Sequence, residues 1–159
     1  MRFRHLVVAA YALALTVQPA FAHHCFVDVF DAKAPVTISG KISKIDWVNP
    51  HTLIQLSGAN GDEPVKDWLF WAATPNALLR SGITKKMLAE GVEVTIRGYE
   101  AKDKSCPVNT TTQKAACVAD ARTITLANGA QMPVLSTGDG GPDGNGICNW
   151  TGPPNTLPN

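Results

Sequence analysis

The sequence carries almost no excess of charge of either sign, and this excludes one large class of partner. Fourteen Lys and Arg residues stand against thirteen Asp and Glu residues, which gives a formal net charge of +1. Proteins that neutralise nucleic-acid phosphates need basic side chains gathered in a patch or stripe. The sequence has no such stripe, so we expect no nucleic-acid partner.

Recognisable catalytic motifs are missing as well. The sequence contains no Gly-x-Ser-x-Gly elbow, no His-Glu-x-x-His pair, no Cys-x-x-Cys and no glycine-rich phosphate loop. It also has no pair of carboxylates at a spacing that suits general acid–base work. We therefore expect a binding protein and not an enzyme.

Long apolar runs are absent except near the start of the chain. Residues 6–17 are apolar but too short for a membrane span, which needs about 20 such residues. Arg2 and Arg4 precede this run and the small-x-small sequence AFA at 20–22 follows it, a pattern typical of a secretory signal peptide. We predict that residues 1–22 are cleaved and that the mature protein is periplasmic or secreted, without a membrane span; an N-terminal anchor is the alternative.

Four cysteines remain after the predicted cleavage, and export to an oxidising compartment favours disulfides. Cys106 and Cys117 flank the polar segment CPVNTTTQKAAC and are predicted to clip its base, which is worth about 2–3 kcal/mol. Cys25 would then pair with Cys148 and tie the two ends together. Four cysteines allow three connectivities, and thiolate binding of a metal by Cys25 is a further alternative.

Alternation of apolar and polar residues predicts one mainly β domain over residues 23–135. Residues 36–47 indicate a long bent first strand with a β-bulge near Ser43 and Lys44, where the alternation slips by one residue. Thr74 and Pro75 indicate the start of a short helix. The other predicted strands lie near residues 52–56, 67–73, 92–97, 124–126 and 131–134.

The order of three strands, a short helical segment and two more strands, before the short last strand at 131–134, is typical of an OB-like closed or partly open β-barrel. A small β-sandwich is the alternative fold. From residue 136 to 159 the chain is rich in Gly, Pro and Asn, so we predict a flexible tail anchored by Cys148.

Two histidines, His23 and His24, open the predicted mature chain. An N-terminal histidine offers both its α-amine and a ring nitrogen to one ion, and His51 after Asn49-Pro50 could supply a third nitrogen. Three nitrogens in this arrangement suit the tetragonal preference of copper. We predict a copper site formed by His23 and His51 with His24. The alternative is that His23 and His24 are solvated on a frayed terminus and that His51 is a turn residue bonded to the backbone.

Three tryptophans could form a second kind of site. Trp47, Trp68 and Trp71 lie at strand spacing, which is typical of core or barrel-mouth residues, although they could also stack on a small ligand. The alternative function is therefore a non-metal binding or assembly module for a small ligand or a periplasmic partner protein.

The sequence resembles an uncharacterised family of small exported bacterial proteins over about residues 22–134. Members typically start AHHSF and carry a W-x-N-P-H motif, which match residues 22–26 and 47–51 here. The further matching segments are FD at 30–31, VTISG at 36–40, TP at 74–75, LR at 79–80, Gly82, LAEG at 88–91, VTIRG at 94–98 and LANG at 126–129. The resemblance implies periplasmic residence and a β-rich fold but no activity. Cys25 replaces the usual serine, and it accompanies an additional clipped loop and a tail with Cys148; this joint addition supports a Cys25–Cys148 pair.

Overall fold

A computed structural model describes residues 25–108, 115–136 and 140–142 of the chain. The predicted signal peptide, His23, His24, Cys148 and most of the predicted tail lie outside these residues. Within these three ranges, no helix is long and apolar enough to cross a membrane.

The described residues form two short helices and six strands, which confirms the predicted mainly β class. In chain order these are α1 (Phe26–Val29), β1 (Phe30–Trp47), β2 (Thr52–Gly58), β3 (Lys66–Ala72), α2 (Pro75–Arg80), β4 (Glu93–Ala101), β5 (Ala116–Leu126) and β6 (Gln131–Pro133).

Five of the strands close into a ring. The sheet order is β3-β2-β1-β4-β5-β6, and β3 also pairs with β5 in parallel, so that β1 to β5 have neighbours on both sides. Closure protects strand edges that would otherwise be open to other chains. The helix α2 falls between β3 and β4 as predicted, and the strands form one sheet and not the two sheets of a sandwich.

The long first strand bends at the predicted bulge. Its pairing with β2 shifts between Ile42 and Lys44, so one extra residue lies in β1 at that point. Gly40 permits a close approach just before it, because a Cβ there would lie 2.5 Å from the carbonyl oxygen of Ser57. The bend lets one strand pair with β4 along its first half and with β2 along its second half.

The interior of the ring holds the main hydrophobic core. Alternate residues of the strands are buried there, and α2 adds Leu78. Thr74 caps α2 as predicted, because its hydroxyl accepts a hydrogen bond from the Ala77 backbone N–H at 3.2 Å. The largest fully buried members of this core are Trp68, Phe70, Ile38, Ile42, Ile54, Leu56, Leu78, Leu88, Ile96, Ile124 and Val134.

Two strands begin well before their predicted starts. The first strand begins at Phe30, six residues before the predicted start, and β5 begins at Ala116 and not near Ile124. The Cys106–Cys117 disulfide is confirmed, but Cys117 is already the second residue of β5. The disulfide therefore joins the loop after β4 directly to the strand that closes the ring.

Candidate functional site

His51 lies in the turn between β1 and β2, directly after a cis Asn49-Pro50 peptide bond, and is half-buried. Its Nδ1 atom is 3.2 Å from the carbonyl oxygen of Ala72. A carbonyl oxygen only accepts hydrogen bonds, so Nδ1 is the donor and the lone pair of the neutral ring lies on Nε2. Metal-binding histidines are commonly oriented by this kind of bond to a carbonyl group.

The imidazole of His51 stacks on the indole of Trp71. The ring centroids are 5.3 Å apart and the ring planes differ by 23°. Trp71 lies between the buried residues Phe70 and Ala72 on β3, so its side chain points to the outer face of the ring. His51 is thus held both by a hydrogen bond and by an aromatic contact.

A second hydrophobic cluster lies on this outer face. Phe26 and Phe30 are buried at its centre, with ring centroids 5.7 Å apart. Phe30 contacts Trp71 edge-on at 5.7 Å, and Phe26 contacts Tyr99 edge-on at 5.4 Å. The cluster also contains Ala101 and Val118, with Val27 and Val29 packed against it. The chain that precedes β1 is therefore packed against the strand that carries Trp71.

Polar contacts fix the short helix α1 on this face. Lys102 donates its backbone N–H to the Val29 carbonyl at 2.8 Å, and its ammonium group donates to the carbonyl of Val27. The Asp28 N–H donates to the Cys25 carbonyl at 3.0 Å. A single helical turn does not persist alone in water, so these contacts and the aromatic cluster hold it in place from Cys25 onward.

Cys25 is disulfide-bonded. The bond leaves no thiolate at this position, which removes Cys25 as a metal ligand. Its predicted partner, Cys148, lies outside the described residues.

An ion pair lies beneath Phe26. Arg122 Nε forms an ion pair with Asp120 Oδ2, and the other carboxylate oxygen, Oδ1, accepts the Tyr99 backbone N–H at 2.7 Å. The guanidinium carbon of Arg122 is 4.5 Å from the centroid of the Phe26 ring. The distance is that of a cation–π contact.

The three predicted tryptophans lie in different surroundings. Trp68 is a core residue, and its indole N–H donates to the Gly58 carbonyl at 3.2 Å. Trp47 is half-buried against the core, with the Lys85 ammonium 5.9 Å from its ring centroid. Only Trp71 lies beside His51, so the structure does not bring the three together into one stacking surface.

A cleft of about 410 Å³ opens next to Trp71. Asp103, one of the residues that line it, accepts the Ser105 backbone N–H at 3.0 Å, and this hydrogen bond lowers the pKa of the Asp103 carboxyl group. The lining residues are Asp28, Val29, Trp71, Ala101, Lys102, Asp103, Ser105, Pro107 and Val118. Five of these residues are apolar and four are polar or charged.

Of the three histidines predicted to bind copper, His51 is the one that the structure describes. Among the described residues there is no group of three or more His, Cys, Asp or Glu side chains that could hold a metal ion. The contacts of His51 with Trp71 and of Phe26 with Arg122 were missed by sequence reasoning. The period of two along β3 puts Trp71 on the face opposite Trp68 and Phe70, but no sequence pattern joins Trp71 to residue 51.

A family model described as a family of unknown function, DUF6152, matches residues 11–109. No curated protein matches the chain, and no solved structure matches it.

Proposed function

We propose that this chain, which belongs to DUF6152, a family of unknown function, is a small periplasmic copper-binding protein. The proposed ligands are the α-amine and ring of His23, the ring of His51 and, as a further nitrogen donor, His24. Cleavage after Ala22 is part of the proposal, because an uncut chain has an amide where the amine is required.

The observation that carries the proposal is the row of ring contacts from Phe26 to His51. Phe26 contacts Phe30, Phe30 contacts Trp71 and Trp71 stacks on His51, with centroids 5.7, 5.7 and 5.3 Å apart. His24 precedes Phe26 by two residues, and each residue spans at most about 3.6 Å. This packing supports the proposal, because the chain approaches its predicted mature terminus on the face that carries His51.

The chemistry of the donors favours copper. An N-terminal chelate and the Nε2 lone pair of His51 would give three nitrogens in a T-shaped arrangement, which suits Cu(II). A free α-amine titrates near pH 8, so protons compete with the metal for this ligand. We therefore expect copper affinity to fall as the pH is lowered through the neutral range.

The test is a titration of protein that begins at His23 with Cu(II), followed by EPR spectroscopy. We expect one tightly bound Cu(II) per chain with hyperfine splitting from several nitrogens. A matched protein with three alanines before His23 keeps every side chain, loses the terminal chelate and places neither histidine within three residues of the new amine. Its Kd should rise at least about 100-fold, beyond the 10–100-fold typical of losing an outer-shell partner.

A second matched variant isolates the other proposed ligand. His51→Phe keeps an aromatic ring against Trp71 but has no nitrogen, so its folded structure should persist while copper affinity falls. Equal affinity in all three proteins would overturn the proposed ligand set.

A further inference from the structure

We infer that Arg122 is a positioning residue of the copper site, which it serves by holding Phe26 and, through it, the N-terminal segment. The inference rests on the proposed function, since its readout is copper binding. Arg122 itself would not bind the metal.

The position of Arg122 originates in an irregularity of β5. In the pairing with β4, Arg97 is opposite Thr123 and Gly98 is opposite Ala121, so Arg122 is the extra residue of a bulge. Bulges re-aim side chains and are frequent beside functional sites. Here the bulge presents the guanidinium group to the Phe26 ring, 4.5 Å from its centroid.

The guanidinium group is itself held in orientation. Its partner Asp120 is only 4% exposed, and the Asp120 carboxylate is fixed by the Tyr99 backbone N–H at 2.7 Å. A guanidinium group is planar, so it can pair with a carboxylate and lie over an aromatic ring at the same time; a lysine ammonium cannot reproduce both contacts. Arg122 is thus a fixed support and not a mobile surface cation.

Phe26 is the point through which this support acts. It is the one buried residue of α1 and is 1% exposed. It follows His23 by three positions and His24 by two. Donor nitrogens share an ion only when each lies about 2 Å from it, so a segment that is ordered before the metal arrives avoids part of the entropy cost of binding. Loosening Phe26 should therefore weaken copper binding without removing a ligand.

The experiment compares three variants of the full mature protein titrated with Cu(II) alone. Arg122→Lys keeps a positive charge beside Asp120 but loses the planar contact, and Phe26→Leu keeps an apolar side chain but loses the ring. We expect the Kd for Cu(II) to rise about tenfold in both variants, which is the loss of affinity expected when one or two side chains must be ordered on binding. Their EPR spectra should show a mixture of copper sites. Phe70→Leu is the control, because it removes a fully buried ring from the interior core and leaves the outer cluster intact.

The outcomes separate this inference from the proposed function. Absence of copper binding by the unaltered protein overturns both. Copper binding that is unchanged in Arg122→Lys and Phe26→Leu overturns only the positioning role. An equal loss in Phe70→Leu would overturn it too, since general destabilisation would then explain the effect.

Discussion

At the scale of single residues, the contact between His51 and Trp71 gives the proposed site an internal reporter. Their ring centroids are 5.3 Å apart, so Cu(II) bound to His51 should quench the fluorescence of Trp71. We expect Trp71→Phe to lose most of the copper-dependent quenching while its copper affinity stays within a few-fold of the original. Trp47→Phe is the control and should retain the quenching; equal quenching in both variants would place the ion elsewhere.

Thr52 allows a second residue-scale prediction, about stability. Its side chain is fully buried, and its hydroxyl has no hydrogen-bond partner in the described part of the chain. An unpaired buried hydroxyl is unfavourable, and valine has nearly the same shape and a high strand propensity. We expect Thr52→Val to raise the free energy of unfolding by about 1 kcal/mol in urea denaturation. Thr52→Ala, which leaves a void, should lower it, and a loss of stability in both variants would show that the hydroxyl does have a partner.

At the scale of elements, Gly98 makes the bulge in β5 possible. A Cβ at this position would lie 1.9 Å from the Asp120 carbonyl oxygen and 3.1 Å from Asp120 Oδ1, so backbone atoms would have to move. We expect Gly98→Ala to lower the free energy of unfolding by about 3 kcal/mol or more. Gly82→Ala is the comparison, because Gly82 has open space around it but a φ of 81°, and it should cost about 1 kcal/mol. Similar losses for the two would contradict the close approach.

The elements also show what could be predicted from the sequence. The alternation of residues 36–47 and its slip at Ser43 predicted both β1 and its bulge, because inward residues there are large and apolar. The start of β5 was missed because its inward residues include Ala119 and Ala121, which give little periodic contrast. The parallel pairing of β3 with β5 joins segments far apart in the sequence, and no local pattern encodes it.

At the scale of the whole molecule, the described residues form a closed ring with a short segment packed on its outside. The ring has its own interior core, and the outer cluster is a separate one that contains Phe26, Phe30, Ala101 and Val118. The ligand types of the proposed site remain a prediction from the sequence alone, because histidine chemistry is local. The sequence could not predict that α1 and Trp71 share a face, because this depends on how the ring closes.

The separation of the interior core from the outer cluster predicts how amide hydrogen exchange responds to copper. The Lys102 amide bonds to the Val29 carbonyl, so it should exchange through detachment of α1 at a lower free energy than the Ile96 amide in the ring. If the copper ion joins the N-terminal segment to His51, detachment of α1 and global unfolding both release the ion. The free energy of the opening that permits exchange should then rise by the same amount for the Lys102 and Ile96 amides, about 2.7 kcal/mol at a free copper concentration 100 times the Kd.

The Glu63 amide provides the control for that measurement. It bonds to the Asn60 carbonyl in the turn between β2 and β3, which can open without disturbing His51, so copper should leave its exchange unchanged. Protection that rises for Ile96 but not for Lys102 would show that the metal binds the ring alone. In that case the segment before β1 would contribute no ligand, because any ligand that it supplied would have to be released before α1 could detach.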